Sequence, residues 1–169
     1  MRAAHPFREE ALSAVHVREE LVPLLKDLAA RSADFEQQRH ISDDIIARFK
    51  QIGVYRALVP KAYGGEECSP AQFCELIEQI ATADGPAGWV ASFGMSPFYL
   101  GALPPDTLKA LYRDGPDVVF AGGIFPPQKA VLADGGYRVS GRWGFARGRL
   151  GAPGFGVGIP PGSGETPPR

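Results

Sequence analysis

Residues 69–100 decide the fold, and they read SPAQFCELIEQIATADGPAGWVASFGMSPFYL. Ser69, followed by a proline and then by Gln72 at the third position, is the pattern of a capping box that opens a helix. Apolar residues follow at the spacing of three and four that one buried helical face requires. They are Phe73, Leu76, Ile77 and Ile80.

A second helix is predicted directly after the first. Asp84-Gly85-Pro86 ends one helix and begins another, which runs through Trp89 and Phe93 toward Leu100. This second helix is apolar on nearly all sides, so it is predicted to be central in a helical domain. We expect four or five helices between residues 14 and 112, packed around Trp89, Phe93, Phe73, Ile77 and Leu28.

Two further helices are predicted upstream. One has a buried stripe of leucines that ends near Phe35, and Pro23 either kinks it or lies in its first turn. The other begins after Ser42, a good N-cap, and ends at Gly53. Residues 54–60 are then predicted to run extended into a Gly-Gly turn. The adjacent acids that follow, Glu66 and Glu67, are expected to be solvated.

The pattern changes after residue 114. Residues 118–121, 129–132 and 137–140 are predicted strands, and Asp134-Gly135 is a hairpin turn. The fold class is therefore mainly α, with a helical domain at residues 1–114 and an incomplete antiparallel β layer at 115–146. Residues 147–169 form a tail rich in Gly and Pro that is predicted to be irregular.

Composition excludes several classes. The hydrophobic fraction of 44% suits a globular core, and the net charge of −1 leaves no basic face for nucleic acid. The longest apolar stretch is interrupted by polar residues, so a membrane protein is not expected. No apolar leader follows the first residues, so a signal peptide is not expected. Cys68 and Cys74 are interpreted as small, at least half-buried apolar residues in a cytoplasmic protein. The three histidines are too dispersed for a metal site.

Signatures of phosphate binding, zinc proteases and serine hydrolases are absent from the sequence, so the order of three segments carries the interpretation. They are YRALVPKAYGG at 55–65, DGPAGWV at 84–90 and GGYRVSGRWGFA at 135–146. In this order they resemble the acyl-CoA dehydrogenase superfamily over about residues 14–146. The second and third segments look more like one branch, the oxygenase components of two-component flavin-dependent monooxygenases.

That resemblance implies an enzyme of this branch that hydroxylates an aromatic substrate with O₂ and with reduced FAD or FMN, supplied by a separate flavin reductase. It implies a homo-tetramer for intact relatives. The implied cofactor-binding residues are Gly122, Gly123, Phe125, Trp143, Phe145 and Ala146. The implied substrate-side residues are Trp89, Phe93, Ser96 and Phe98. Core packing is the alternative for these aromatics, and no catalytic residue is assigned.

The sequence departs from the family pattern at two places. A histidine that contacts substrate in the phenol hydroxylases falls near Ser96 here, and Arg147-Gly148 stands where Ser-Gly is expected. We interpret the tail as a frameshift in a truncated chain, and we expect the chain by itself to be inactive. Two other functions stay open: a fragment of an acyl-CoA dehydrogenase, although the loop at 121–126 lacks the dehydrogenase pattern, and a non-enzymatic helical module that binds a partner.

Overall fold

The computed structural model describes residues 20–123, 125–143 and 154–157. The chain divides into two compact units, residues 1–118 and 119–169. The division after residues 114 and 146 stays a prediction. Of the helices in the described ranges, none combines the length and the hydropathy that a bilayer-spanning segment requires.

The first unit is helical. Its α-helices are α1 (Leu21–Gln38), α2 (Asp43–Gln51), α3 (Pro70–Ala83), α4 (Gly85–Ala91), α5 (Ser96–Leu100) and α6 (Pro105–Leu111). Short 3-10 helices span Lys61–Tyr63 and Ser92–Met95. Helix α3 packs against both α1 and α4. The helices are more numerous than predicted because the expected central helix is broken into α4, the second 3-10 turn and α5.

Local signals place the ends of α1 and α2. Pro23 lies in the first turn of α1, where its missing N–H leaves no intrahelical bond unmade. Gly53 follows α2 with a positive φ of 80° and donates to the carbonyl of Lys50. The N–H of Val54 donates to the carbonyl of Phe49 at 2.9 Å. This pair of bonds is a Schellman motif, so the predicted stop is confirmed. Ser42 is the N-cap residue of α2, but its side chain makes no capping bond.

Residues 54–60 are not extended, and that prediction is wrong. After the Schellman motif the chain continues through turns, and Val59 N–H donates to the carbonyl of Arg56. The returning segment donates Glu66, Glu67 and Cys68 N–H groups to the carbonyls of Arg56, Val59 and Ala57. A sequence pattern of apolar residues cannot distinguish a strand from such a doubled-back segment, since both bury backbone groups that need partners.

Helix α3 begins as predicted. Ser69 Oγ accepts from the N–H of Gln72 at 3.3 Å, and the side chain of Gln72 accepts from the N–H of Ser69 at 2.7 Å. Pro70 occupies the first helical position. The capping box is therefore confirmed. Along α3, Phe73, Leu76 and Ile80 are buried, as the spacing predicted.

The placement of Trp89 in the core is wrong. Its side chain is 54% exposed, and Phe93 is half-buried. The buried face of α4 consists instead of small residues, Ala87, Gly88 and Ala91. A Cβ on Gly88 would overlap the Cβ of Ala81, so α4 lies too close to α3 for any larger side chain on that face. Large residues are accordingly directed away from α3.

Arg31 joins α1 to α2. Its guanidinium donates to Asp44 Oδ2 at 2.6 Å and to Ser42 Oγ at 2.7 Å, while Asp27 on α1 pairs with both Arg31 and Arg48. The hydrogen bond from Arg31 holds the pKa of Asp44 well below its usual range. Because Asp44 is largely exposed, this pair contributes less to stability than a buried one.

Arg56 binds two carboxylates and two carbonyls. Its side chain pairs with Glu66 and Asp117, each at 3.3 Å, and donates to the carbonyls of Lys50 and Gln51. Glu66 is thus a half-buried ion-pair partner, and the expectation that it is solvated is wrong. Burial nevertheless raises the pKa of Asp117, although Arg56 opposes the rise. Desolvation of Asp117 therefore outweighs its ion pair.

The second unit contains short strands. Strand β2 (Ala130–Ala133) pairs antiparallel with β3 (Gly136–Val139) around Asp134-Gly135, where Gly135 has a φ of 75°. The predicted hairpin is confirmed. Strand β1 (Phe120–Gly123) begins two residues later than predicted and pairs in parallel with β4 (Gly154–Val157).

Strand β4 lies in the segment expected to be irregular, and residues 144–153 and 158–169 lie outside the described residues. Pairing is possible for a glycine-rich segment because the bonds of a ladder come from the backbone. A Cβ on Gly156 would overlap the ring of Phe120, so the glycine permits the close approach of this strand.

Gly88→Ala is expected to lower the free energy of unfolding by about 1–3 kcal/mol, because the added methyl group overlaps Ala81. Gly85→Ala is the matched control. A Cβ at residue 85 meets nothing within 4 Å, so this substitution should be neutral or stabilise by up to about 1 kcal/mol. Urea unfolding of both variants measures the difference, and equal effects would contradict the packing described for α4.

The raised pKa of Asp117 predicts a pH dependence of stability. A carboxyl whose pKa is higher in the folded state contributes fully below its unfolded pKa of about 4 and loses that contribution as pH rises through the folded value. Asp117→Asn should remove this loss, so the variant gains stability relative to the parent chain as pH rises above about 4 toward neutral. Denaturant unfolding across that range is the measurement. A variant that loses relative stability as pH rises would show that the ion pair outweighs burial.

Candidate functional site

The four substrate-side residues lie on α4, α5 and the 3-10 turn between them. Trp89 and Phe98 are 54% and 60% exposed, Phe93 is half-buried and Ser96 is buried. The rings of Trp89 and Phe93 meet edge to face, with centroids 6.3 Å apart and an interplanar angle of 89°. Two of the four residues thus form a defined aromatic pair, and none of the three aromatics is in the fully buried core.

Ser96 has a structural bond. Its hydroxyl donates to the carbonyl of Phe93 at 2.5 Å, which closes the turn between α4 and α5. Gly94 lies in the same turn, and a Cβ there would come within 2.6 Å of the carbonyl oxygen of Val54 and 2.9 Å of the Phe73 ring. The turn therefore lies directly against the core.

The described cofactor-side residues lie in the second unit. Gly122 and Gly123 end β1, Phe125 follows with its side chain 74% exposed, and Trp143 is half-buried. Phe145 and Ala146 lie outside the described residues. Packing does not require glycine at residue 122, since the nearest atom to a Cβ there, the carbonyl oxygen of Gly156, is 3.7 Å away.

These residues fit a flavin in kind. A planar, largely apolar ring system needs aromatic surface and a backbone that it can approach closely. Phe125 supplies exposed aromatic surface, and the end of β1 supplies backbone without side chains. Together these features suit the ring of a flavin better than they suit its phosphates.

The titratable groups with raised pKa values lie elsewhere in the described residues. Burial raises the pKa of Tyr55, which packs edge to face on Phe49, and it raises the pKa of Tyr112, which stacks on Tyr63. These tyrosines belong to the packing of the first unit. The candidate residues of the first unit therefore offer shape and aromatic surface to a ligand.

Sequence reasoning placed the start of α4 at Asp84 but missed the bond that this residue makes to α1. Asp84 is 4% exposed, and its Oδ1 accepts from the N–H of Ala87 at 2.7 Å. Its Oδ2 accepts from the hydroxyl of Ser32 on α1, also at 2.7 Å. The position of Asp84 before Gly85-Pro86 signals an N-cap, but nothing local indicates the distant serine.

A family model for the N-terminal domain of acyl-CoA dehydrogenases matches residues 14–102, which is more than half of the chain. The chain belongs to the acyl-CoA dehydrogenase family. The resemblance drawn from the three sequence segments is thereby confirmed. The mainly helical fold class is confirmed as well, since it is the fold of the solved relatives described below.

Curated relatives of this acyl-CoA dehydrogenase family chain are oxygenases. It is 60% identical over 136 residues to an indole-3-acetate monooxygenase of Pseudomonas putida, and 64% identical over 132 residues to one of Acinetobacter baumannii. These matches cover 80% and 78% of the chain but 35% and 34% of the relatives. The chain thus spans about a third of the length of the curated relatives it matches.

Solved structures agree with these relatives. The HsaA monooxygenase from Mycobacterium tuberculosis superposes with a TM-score of 0.79 at 27% identity, covering 89% of this chain and 40% of that one. The 3-HSA hydroxylase from Rhodococcus sp. RHA1 superposes with a TM-score of 0.77 at 28% identity, covering 89% and 38%. The branch of flavin-dependent oxygenases inferred from DGPAGWV and GRWGFA is therefore confirmed.

Truncating an exposed aromatic should cost far less stability than truncating a core one. Trp89→Ala and Phe98→Ala are each expected to lower the free energy of unfolding by less than about 1.5 kcal/mol, since both rings are more than half exposed. Phe73→Ala should lower it by about 3–5 kcal/mol, because Phe73 is buried against Ala57 and Leu58. Urea unfolding at one pH compares the three. If Trp89→Ala lowered the free energy of unfolding as much as Phe73→Ala does, Trp89 would belong to the core.

Proposed function

We propose that this chain forms the N-terminal part of the oxygenase component of a two-component flavin-dependent monooxygenase that hydroxylates an aromatic substrate. One observation carries the proposal. The chain exposes aromatic rings on α4 and α5, in a sequence 60–64% identical to two indole-3-acetate monooxygenases. Trp89 and Phe98 are each more than half exposed, so their rings are accessible to an aromatic ligand.

The proposed substrate class is an indole or a similar fused aromatic ring that carries a short acidic side chain. This follows from the names of those two relatives, whose identity with this chain is about twice that of HsaA. The surface of Trp89 and Phe93 suits a flat ring, because edge-to-face and offset contacts between aromatic rings are favourable. Ser96 would act through the turn it closes.

The cofactor would be reduced FAD or FMN. When bound, it would supply the electrons needed to place one oxygen atom of O₂ on the ring and reduce the other to water. Gly122 and Gly123 would offer backbone groups close to its ring. The aromatic residues Phe125, Trp143 and Phe145, with Ala146, would provide apolar surface and exclude water.

The proposed partners follow from the same assignment. A separate reductase would supply the reduced flavin, as the term two-component requires, and the complete protein would form a homo-tetramer. Several relatives are named as the oxygenase subunit or component of such systems, which supports the reductase.

The two alternatives have less support. An acyl-CoA dehydrogenase would share the N-terminal domain, but the curated relatives named above are monooxygenases. A non-enzymatic helical module would bind a partner through the exposed aromatic residues. Such a module would need no similarity to oxygenases outside the helical unit. That similarity covers four-fifths of the chain.

A chimera tests the proposal. Residues 14–102 of this chain replace the aligned segment of the Pseudomonas putida indole-3-acetate monooxygenase. We expect the chimera to hydroxylate indole-3-acetate, with a reductase and O₂, at a kcat/KM within about tenfold of the parent enzyme, because the two chains are 60% identical over 136 residues. Product formation is measured by mass spectrometry.

The matched variant is the same chimera with Trp89→Ala, which should lose about tenfold or more in kcat/KM through weaker contact with the ring. A chimera that folds and binds flavin but forms no hydroxylated product would contradict the assignment.

A further inference from the structure

The junction between α3 and α4 consists of one residue. Asp84 donates its N–H to the carbonyl of Ile80 in α3, and its own carbonyl accepts from the N–H of Gly88 in α4. Its extended backbone, with φ −156° and ψ 118°, separates the two helices. The backbone conformation of Asp84 therefore determines the direction of α4 relative to α3.

The carboxylate of Asp84 has two partners that belong to different elements. One oxygen caps α4 through the N–H of Ala87, and the other accepts the hydroxyl of Ser32 from α1, 52 residues earlier in the sequence. At 4% exposure, this group loses most of its contact with water. Each of its bonds then counts, because a buried carboxylate without a donor is strongly disfavoured.

We infer that Ser32 and Asp84 are positioning residues, which orient the ring of Trp89 by holding the start of α4 to α1. The contact of Gly88 with Ala81 fixes how closely α4 approaches α3, and the Ser32–Asp84 bond fixes its direction at the N-terminal end. Trp89 follows within the next turn and lies against Phe93. Ser32 acts through its hydrogen bond to Asp84. This inference deepens the proposed function, since Trp89 is its proposed substrate contact.

The test is spectroscopic and needs no activity. The chain has two tryptophans, so its two indole N–H signals in a ¹⁵N spectrum are assigned by comparison with Trp143→Phe. In Ser32→Ala we expect the Trp89 indole signal to shift or broaden. We also expect the amide exchange of Ala87 to accelerate roughly three- to tenfold, because the carboxylate that binds this N–H has lost its second anchor.

Two controls separate positioning from general destabilisation. Thr82→Ala removes a hydroxyl that donates to the carbonyl of Glu78 within α3, two residues before Asp84, and it should leave the Trp89 signal and the Ala87 exchange rate unchanged. Ser32→Thr keeps a hydroxyl, so the Trp89 signal and the Ala87 exchange rate should remain as in the parent chain. Asp84→Glu, which moves the carboxylate by one methylene, should disturb both even if Ser32→Ala folds poorly.

The inference is overturned if Ser32→Ala and Asp84→Glu leave the Trp89 signal and the Ala87 exchange rate as in the parent chain. It is also overturned if Thr82→Ala changes them equally. If the chimera forms no product but Ser32→Ala still changes the Trp89 signal and the Ala87 exchange rate, the proposed substrate role of Trp89 is rejected. The positioning by Ser32 then remains supported.

Discussion

The contact between Gly88 of α4 and Ala81 of α3 determines which side chains of α4 reach water. Two helices that touch through a glycine and an alanine have no room for a large residue on the shared face. The apolar residues of α4 are therefore sorted by size, with the small ones inside and Trp89 outside. An apolar helix that would otherwise supply the core instead supplies an accessible aromatic surface.

Features encoded within a few residues were predictable from the sequence. The capping box at Ser69, the stop at Gly53 and the hairpin at Asp134-Gly135 each depend on backbone conformations and bonds that neighbouring residues supply. The three sequence segments also led to the superfamily, and the second and third of them led to the oxygenase branch. None of these inferences required knowledge of which elements touch.

Features that depend on distant contacts were not predictable. Trp89 was placed in the core because periodicity shows that a helix is apolar but not which face meets its neighbour. Residues 54–60 were expected to be extended, because their apolar pattern does not reveal that their backbone partners come from the returning segment at 66–68. The Ser32–Asp84 bond joins residues 52 positions apart, so no local pattern indicates it.

In the second unit, the pairing of β4 depends on the absence of a side chain at residue 156. Gly156 in β4 makes room for the ring of Phe120, and the ladder itself uses backbone groups alone. The pairing of β4 with β1 therefore depends on the single glycine at residue 156, where a side chain would displace either the strand or the ring of Phe120.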